Sequence, residues 1–380
     1  MKKISDKLLI IYLLIQPFLD MLISYGIRNN NKLSYLGVIF RGLFFIVVIV
    51  YLFVNKKEKK VLYCFLIYYI LAIGHYAISF DYRPISEISN LMQIFYIFFL
   101  VFFFNSIDNK YLDDRLLTIV YLIYTLSLPV AKILGIGFDI NELYFNKHAY
   151  LGLYYSGNEL CAILIALVPS VITYLKKSKN ILMIVLSVFA TLAAIVLLGS
   201  KTLVLATILF ILYFIFKLRK NKIVLIISII SLILTIAIVP FTSTFKNVVA
   251  NLKFYNITEN NLISIKNVDR LVFSMRLTYA KNLNLAYANG SLLNKVIGIG
   301  KTGLNNIKDS EIDATDIFYS IGTIGTTIYL IFMVYLIKNY KLKGIYKYTF
   351  ILLVIISFFA GHIFTKANVT LFVSLLFKKN

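Results

Sequence analysis

The chain has 380 residues, 60% hydrophobic and only 15% charged, with a mean hydropathy of +0.84. So little charge cannot clothe a water-soluble fold of this length, which excludes an ordinary soluble globular protein. The formal charge of +22 would suit a nucleic-acid binder. The lysines, however, fall in short clusters between apolar runs rather than on one amphipathic face, so no nucleic-acid partner is expected.

A bilayer accounts for the composition, since a span needs about 20 mainly apolar residues to cross a hydrocarbon core about 30 Å thick. Apolar runs predict spans near residues 8–25, 34–54, 61–80, 89–104, 115–136, 153–175, 180–198, 201–216, 222–240, 316–337, 346–361 and 367–377. The last run is short for a span. The expected fold is an all-α, polytopic membrane protein of about 12 transmembrane helices. Residues 1–240 hold helices 1–9, residues 241–315 form one large loop, and residues 316–380 hold helices 10–12. The first run is of span length and lacks a small-residue cleavage site, so no cleaved leader is expected. Cys64 and Cys161 both sit in apolar runs, which leaves no disulfide or zinc framework. With no Trp and 28 Tyr, tyrosine must fill the interfacial belts.

Basic residues orient the spans. One set of connections carries Lys2, Lys3 and Lys7, then Lys56 to Lys60, Lys110 and Arg115, Lys176 to Lys179, Lys217 to Lys222, Lys338 to Lys347, and Lys378 with Lys379. The alternate short connections carry only Arg28, Lys32, Arg83, Lys147 and Lys366. The positive-inside rule then places both termini in the cytoplasm and residues 241–315 outside.

Ionisable side chains within spans are costly, so each is a functional candidate. Asp20, Arg41, His75, Lys132, Glu159, Lys201, Asp316 and Lys366 all fall in the outer halves of their spans or at the outer rim. A cavity opening at the outer surface fits this better than an ion path through the full depth. Snorkelling accounts for Asp20, Lys132 and Lys366, and a hydrogen-bonded neutral imidazole for His75. Arg41 cannot lose its charge and needs an anionic partner, for which Asp20 is suited. Whether Arg41 serves as a structural ion pair or as a ligand contact stays open.

Shorter motifs are more specific. Ser156-Gly157-Asn158-Glu159 opens the sixth span with an amide and a carboxylate, and Gly199-Ser200-Lys201-Thr202 opens the eighth. Unpaired N–H groups at a helix N-terminus favour an anion, and Lys201 there makes a phosphate seat. In the loop, residues 269–288 carry Arg270 and Arg276 with apolar residues near helical spacing, which predicts an amphipathic helix. Val296-Ile297-Gly298-Ile299-Gly300-Lys301-Thr302-Gly303 lacks Walker A spacing and reads as a turn leading back to the membrane. Glu311, Asp313 and Asp316 then precede the tenth span as solvated caps or as a catalytic base with phosphate-binding arginines beside it.

Taken in order, these motifs resemble the bacterial O-antigen ligase and O-antigen polymerase superfamily. The resemblance covers roughly the C-terminal two-thirds: Gly157-Asn158-Glu159, Ser200-Lys201-Thr202, Arg276 ahead of Ile297-Gly298-Ile299-Gly300, and Glu311-x-Asp313-x-x-Asp316 leading into Gly322 to Gly325. It implies a GT-C-like, metal-independent, inverting glycosyltransferase without a cofactor. Such an enzyme moves a glycan from an undecaprenyl-diphosphate carrier to an acceptor hydroxyl at the outer face of the cytoplasmic membrane. A flippase and a chain-length regulator are the expected protein partners. The resemblance puts diphosphate binding on Lys201 and Arg276, with Arg270, Arg41 and Asn158 as further binding candidates. Proton transfer falls to Glu311, Asp313 or Glu159, a choice left open. Lys201 stands where an arginine is usual, keeping charge but giving up bidentate geometry. Acids stand where the ligase branch has a His-Asn pair, which points to polymerisation of repeat units rather than ligation.

Overall fold

A computed structural model describes residues 2–79, 84–107, 112–139, 149–178, 180–218, 222–258, 263–301, 303 and 307–378. Arg83, Lys110, Lys147, Lys179, Arg219, Lys220, Lys379 and Thr302, used above as topology or motif residues, lie outside the described residues. Each of the twelve predicted spans coincides with a helix. In chain order these are α1 (Lys2–Arg28), α2 (Leu36–Val54), α3 (Lys59–Ser79), α4 (Pro84–Phe104), α5 (Asp114–Leu134), α6 (Gly157–Ser178), α7 (Ile181–Leu198), α8 (Lys201–Leu218) and α9 (Lys222–Ile238). The loop contributes α10 (Ser243–Phe254), α11 (Ile265–Val268), α12 (Arg276–Ala288) and α13 (Leu292–Ile297). The chain closes with α14 (Asp313–Asn339), α15 (Gly344–Ser357) and α16 (Ala367–Leu375). A two-stranded antiparallel hairpin, β1 (Phe138–Asp139) with β2 (Tyr150–Gly152), follows α5.

Helix ends follow local chemistry. The Asp113 side chain accepts from Leu116 N at 2.8 Å to start α5, and Asn180 accepts from Met183 N at 3.2 Å to start α7. Gly199 closes α7 in the left-handed conformation, and α8 begins two residues later but packs on α9 and α6 rather than folding back on α7 as a hairpin.

Among the described residues eight helices, α1 to α7 and α14, are long and apolar enough to cross a membrane. A ninth is added if the bent pair Ile229–Phe241 and Ser243–Phe254 counts as one span. The C-terminal pair is shorter: α15 has 14 residues and α16 nine, which rise about 21 Å and 14 Å against a core of about 30 Å. Every residue of α16 is buried, so it is an interior half-helix packed on α4 and α6.

The core centres on α4, whose residues Phe95 to Phe104 are all buried. A helix apolar all round belongs at the centre of a bundle. The more hydropathic α7 instead leaves Val185, Val188 and Phe189 more than half exposed, as a lipid-facing helix would. In a bilayer, apolarity alone does not separate core from surface.

Two expectations for the loop change. The predicted helix over 269–288 is broken at Ser274 and Met275, both left-handed (φ 53° and 70°), with a π-turn at Asp269–Phe273 before α12. The cause is Asp269, whose carboxylate accepts from Leu277 N, Thr278 N and Thr278 Oγ1 at 3.0, 3.1 and 2.7 Å. It caps α12 from across the break. The Gly298–Gly300 segment is more than a turn. It runs against a kink in α14 at Gly322 (φ 64°, ψ −170°), where Ile299 N and Gly300 N donate to Tyr319 O and Ser320 O at 3.0 Å each. Tyr68 and Tyr76 donate to Ile321 O and Ser320 O at 2.8 Å each. These bonds satisfy carbonyls that the kink would otherwise strand.

Candidate active site

The kinked first half of α14, the α15–α16 connection and the start of α12 meet at one end of the bundle. Asp313 opens α14 with its side chain fully engaged: its carboxylate accepts from Ile363 N, Phe364 N and Thr365 Oγ1 at 2.8, 2.9 and 2.8 Å. Being buried as well, it ties the 358–366 connection to α14. Asp316, one turn on, accepts from Ser310 N and Ser310 Oγ at 2.9 and 2.7 Å.

Glu311 differs. It is left-handed at φ 57° and keeps a quarter of its side chain exposed. Its carboxylate meets Arg276 Nη2 at 2.9 Å and Lys308 Nζ at 3.6 Å. A non-glycine residue held in that region carries strain of about 1 kcal/mol or more, which recurs at functional sites. Gly361 permits the approach, because a Cβ there would lie 2.2 Å from Glu311 O. Arg276, itself buried, uses Nη1 to donate to Phe359 O at 2.7 Å. One guanidinium thus joins the loop acid to the α15–α16 connection.

His362 lies in that connection, left-handed at φ 63°. Sequence reasoning passed over it. Burial, followed by the positive charges of Lys366, Arg276, Lys301 and Lys308, pushes its imidazole well below the ordinary value. A neutral imidazole therefore stands among four cations. Lys301 also pairs with Asp309 at 2.5 Å, and its backbone N–H donates to the buried Glu87 at 2.9 Å. The only local hint of His362 in the sequence was a Gly-His pair between two apolar runs.

The remaining candidates form neighbouring groups. Arg41 pairs with Asp20, whose other oxygen accepts from Tyr124 Oη at 2.6 Å. Glu159, on the first turn of α6, accepts from Asn368 Nδ2 at 2.7 Å and lies within electrostatic reach of Asp20 and Arg41. Asn368, unremarked in the sequence, begins α16 just beyond Lys366, so the α15–α16 connection links the two groups. Asn158 is half-buried beside Glu159. Lys201 Nζ donates to Leu271 O in the π-turn. Arg270 stacks over Tyr255 at 4.3 Å and reaches Asn267 at 3.4 Å, packing the loop on itself. Outside these groups, Lys132 sits over the Tyr150 ring at 5.7 Å, and His75 is buried beside Tyr76.

Chemically, this end of the bundle offers a partly exposed carboxylate, a neutral imidazole and several cations near the N-termini of α14 and α16. Such a set can hold an anionic leaving group and take up a proton.

No curated protein and no solved structure matches the chain. A family model described as "O-antigen ligase like membrane protein" matches residues 2–263 and 258–379. With its multiple apolar helices, the chain is a multi-pass membrane protein belonging to the O-antigen ligase-like family, and is thereby a membrane enzyme of glycan processing.

Proposed function

We propose that the protein is a polysaccharide polymerase of the cytoplasmic membrane, joining undecaprenyl-diphosphate-linked repeat units at the outer face. The observation carrying this reading is Arg276, which joins the partly exposed Glu311 to the α15–α16 connection at Phe359 O, with Lys308 on the same carboxylate and Lys301 and Lys366 within electrostatic reach of His362. Cations so placed neutralise a diphosphate as it departs, and holding donor and acceptor together supplies much of the remaining barrier reduction.

In the proposed step the acceptor hydroxyl oxygen attacks the anomeric carbon. The bond from that carbon to the diphosphate oxygen breaks, and Glu311 takes the hydroxyl proton. The charge leaves with the carrier diphosphate, and the anomeric configuration inverts. Asp313, saturated by three donors, suits positioning of the connection rather than proton transfer. Lys201 and the Arg41–Asp20–Glu159 group flank the path of the lipid-linked donor. Acids at 311 and 313, in place of the His-Asn pair of the ligase branch, favour polymerisation over ligation.

The test is purified protein in lipid nanodiscs supplied with undecaprenyl-diphosphate oligosaccharide. Wild type is expected to build a ladder of longer chains, and Arg276→Ala to slow it by about a hundredfold or more, the usual effect of losing one charge-stabilising donor. Undiminished elongation by well-folded Arg276→Ala would overturn the site. A single transfer that requires a non-repeat acceptor would favour ligation instead.

A further inference from the structure

Away from this site, α10 carries a surface feature of its own. Pro240 lies in the short turn Val239–Phe241 that ends α9, and the axis bends by 49° into α10. The bend turns α10 away from the axis of α9. Lys246, Val249, Ala250 and Lys253 follow i, i+3, i+4, i+7 spacing and so share one face. They line an open groove of about 640 Å³, bordered by Pro240, Phe245 and Phe254. Phe245 and Phe254 are 42% and 62% exposed, and both lysines are exposed as well. Neither lysine takes part in an ion pair among the described residues.

The two lysines stand about 10 Å apart along the helix, within reach of a single phosphate for such long side chains. Between them the short Val249 and Ala250 leave room for a hydrocarbon chain against the phenylalanines. The surrounding loop, residues 241–315, carries nine basic residues against five acidic, so its net charge favours an anion. We propose that this groove binds one anionic glycerophospholipid of the bilayer, its phosphodiester between Lys246 and Lys253 and an acyl chain over Val249 and Ala250. This site is separate from the glycan chemistry and stands whether or not the proposed polymerase activity does.

The experiment is native mass spectrometry of the full-length protein in detergent micelles doped with equal amounts of phosphatidylglycerol and phosphatidylcholine. Wild type should retain phosphatidylglycerol in preference by about thirtyfold, at roughly fivefold per lysine beside an anionic headgroup. Lys246→Gln/Lys253→Gln should lose that preference with an unchanged melting temperature and unchanged glycan elongation. Equal retention of the two lipids by wild type, or a preference that survives in the double variant, would overturn the proposal. In a third arm, undecaprenyl phosphate that displaces phosphatidylglycerol in a lysine-dependent manner would assign the groove to the carrier lipid and equally overturn it.

Discussion

Glu311 and Asp313 stand two residues apart and carry the same functional group, yet their surroundings differ. Asp313 is buried under three donors from the α15–α16 connection, whereas Glu311 is partly exposed between Arg276 and Lys308. Glu311→Gln is expected to lower glycan elongation by about a hundredfold or more, the usual share of a proton acceptor, while leaving the melting temperature in detergent near wild type. Asp313→Asn should do the reverse first: it strands buried donors at about 1–3 kcal/mol each, which lowers the melting temperature. Equal melting losses in both variants would refute the division. His362 gives a pH signature. Burial and the four cations put its folded-state value below the unfolded 6.5, so the unfolded chain binds the proton more readily. Stability is then fully present above about pH 6.5 and is lost as pH falls toward the lower folded value. His362→Gln should melt with a shallower decline between pH 7 and pH 5 than wild type; parallel declines would show that another group titrates.

At the scale of elements, the kink in α14 depends on glycine. Gly322 adopts φ 64° with ψ −170°, a region essentially closed to other residues, and a Cβ there would lie 2.4 Å from Gly298 N. Gly322→Ala should therefore cost about 2–5 kcal/mol from strain and overpacking together. Gly74, inside α3 with open space around it, provides the contrast: Gly74→Ala should melt no lower than wild type and up to about 1 kcal/mol better. Measured by thermal unfolding in detergent, similar behaviour of the two variants would contradict the kink's dependence on its glycine. The limits of the sequence show here. Apolar runs were legible as helices because span length leaves a strong, local signal. The partner of Gly298–Gly300 was not, because it is a helix break some twenty residues later that no local pattern announces. The helix expected over 269–288 was interrupted for the same reason, by a cap formed between Asp269 and Thr278 across two left-handed residues. The Asp20–Arg41 pairing was legible, since a buried arginine demands an anion and one stood on the preceding span. His362 and Asn368 were hidden because their neighbours come from α6, α12 and α14.

The two ends of the molecule differ in kind. At one end, Tyr335 and Tyr340 donate to Glu58 at 2.7 and 3.4 Å, and Asp114 meets Tyr346 at 3.0 Å and Lys177 at 3.6 Å. These contacts tie helices together next to short lysine-rich connections. The other end gathers Arg41, Glu159, Lys201, Arg276, Glu311 and His362 and carries the large loop. Short lysine-rich connections resist translocation, whereas a long loop crosses regardless of its charge. The first end should therefore face the cytoplasm and the candidate site the outside, where a finished lipid-linked glycan would be met. Single cysteines in a background with Cys64→Ser and Cys161→Ala report this directly. Asn289→Cys, exposed at the end of α12, should react with a membrane-impermeant maleimide in intact cells. Asn339→Cys, exposed at the far end of α14, should react only after permeabilisation. The opposite pattern would turn the molecule over and put the candidate site on the cytoplasmic face, where extracytoplasmic polymerisation has no place. Labelling of both residues from one side would instead mean that α14, kinked at Gly322, does not cross the membrane.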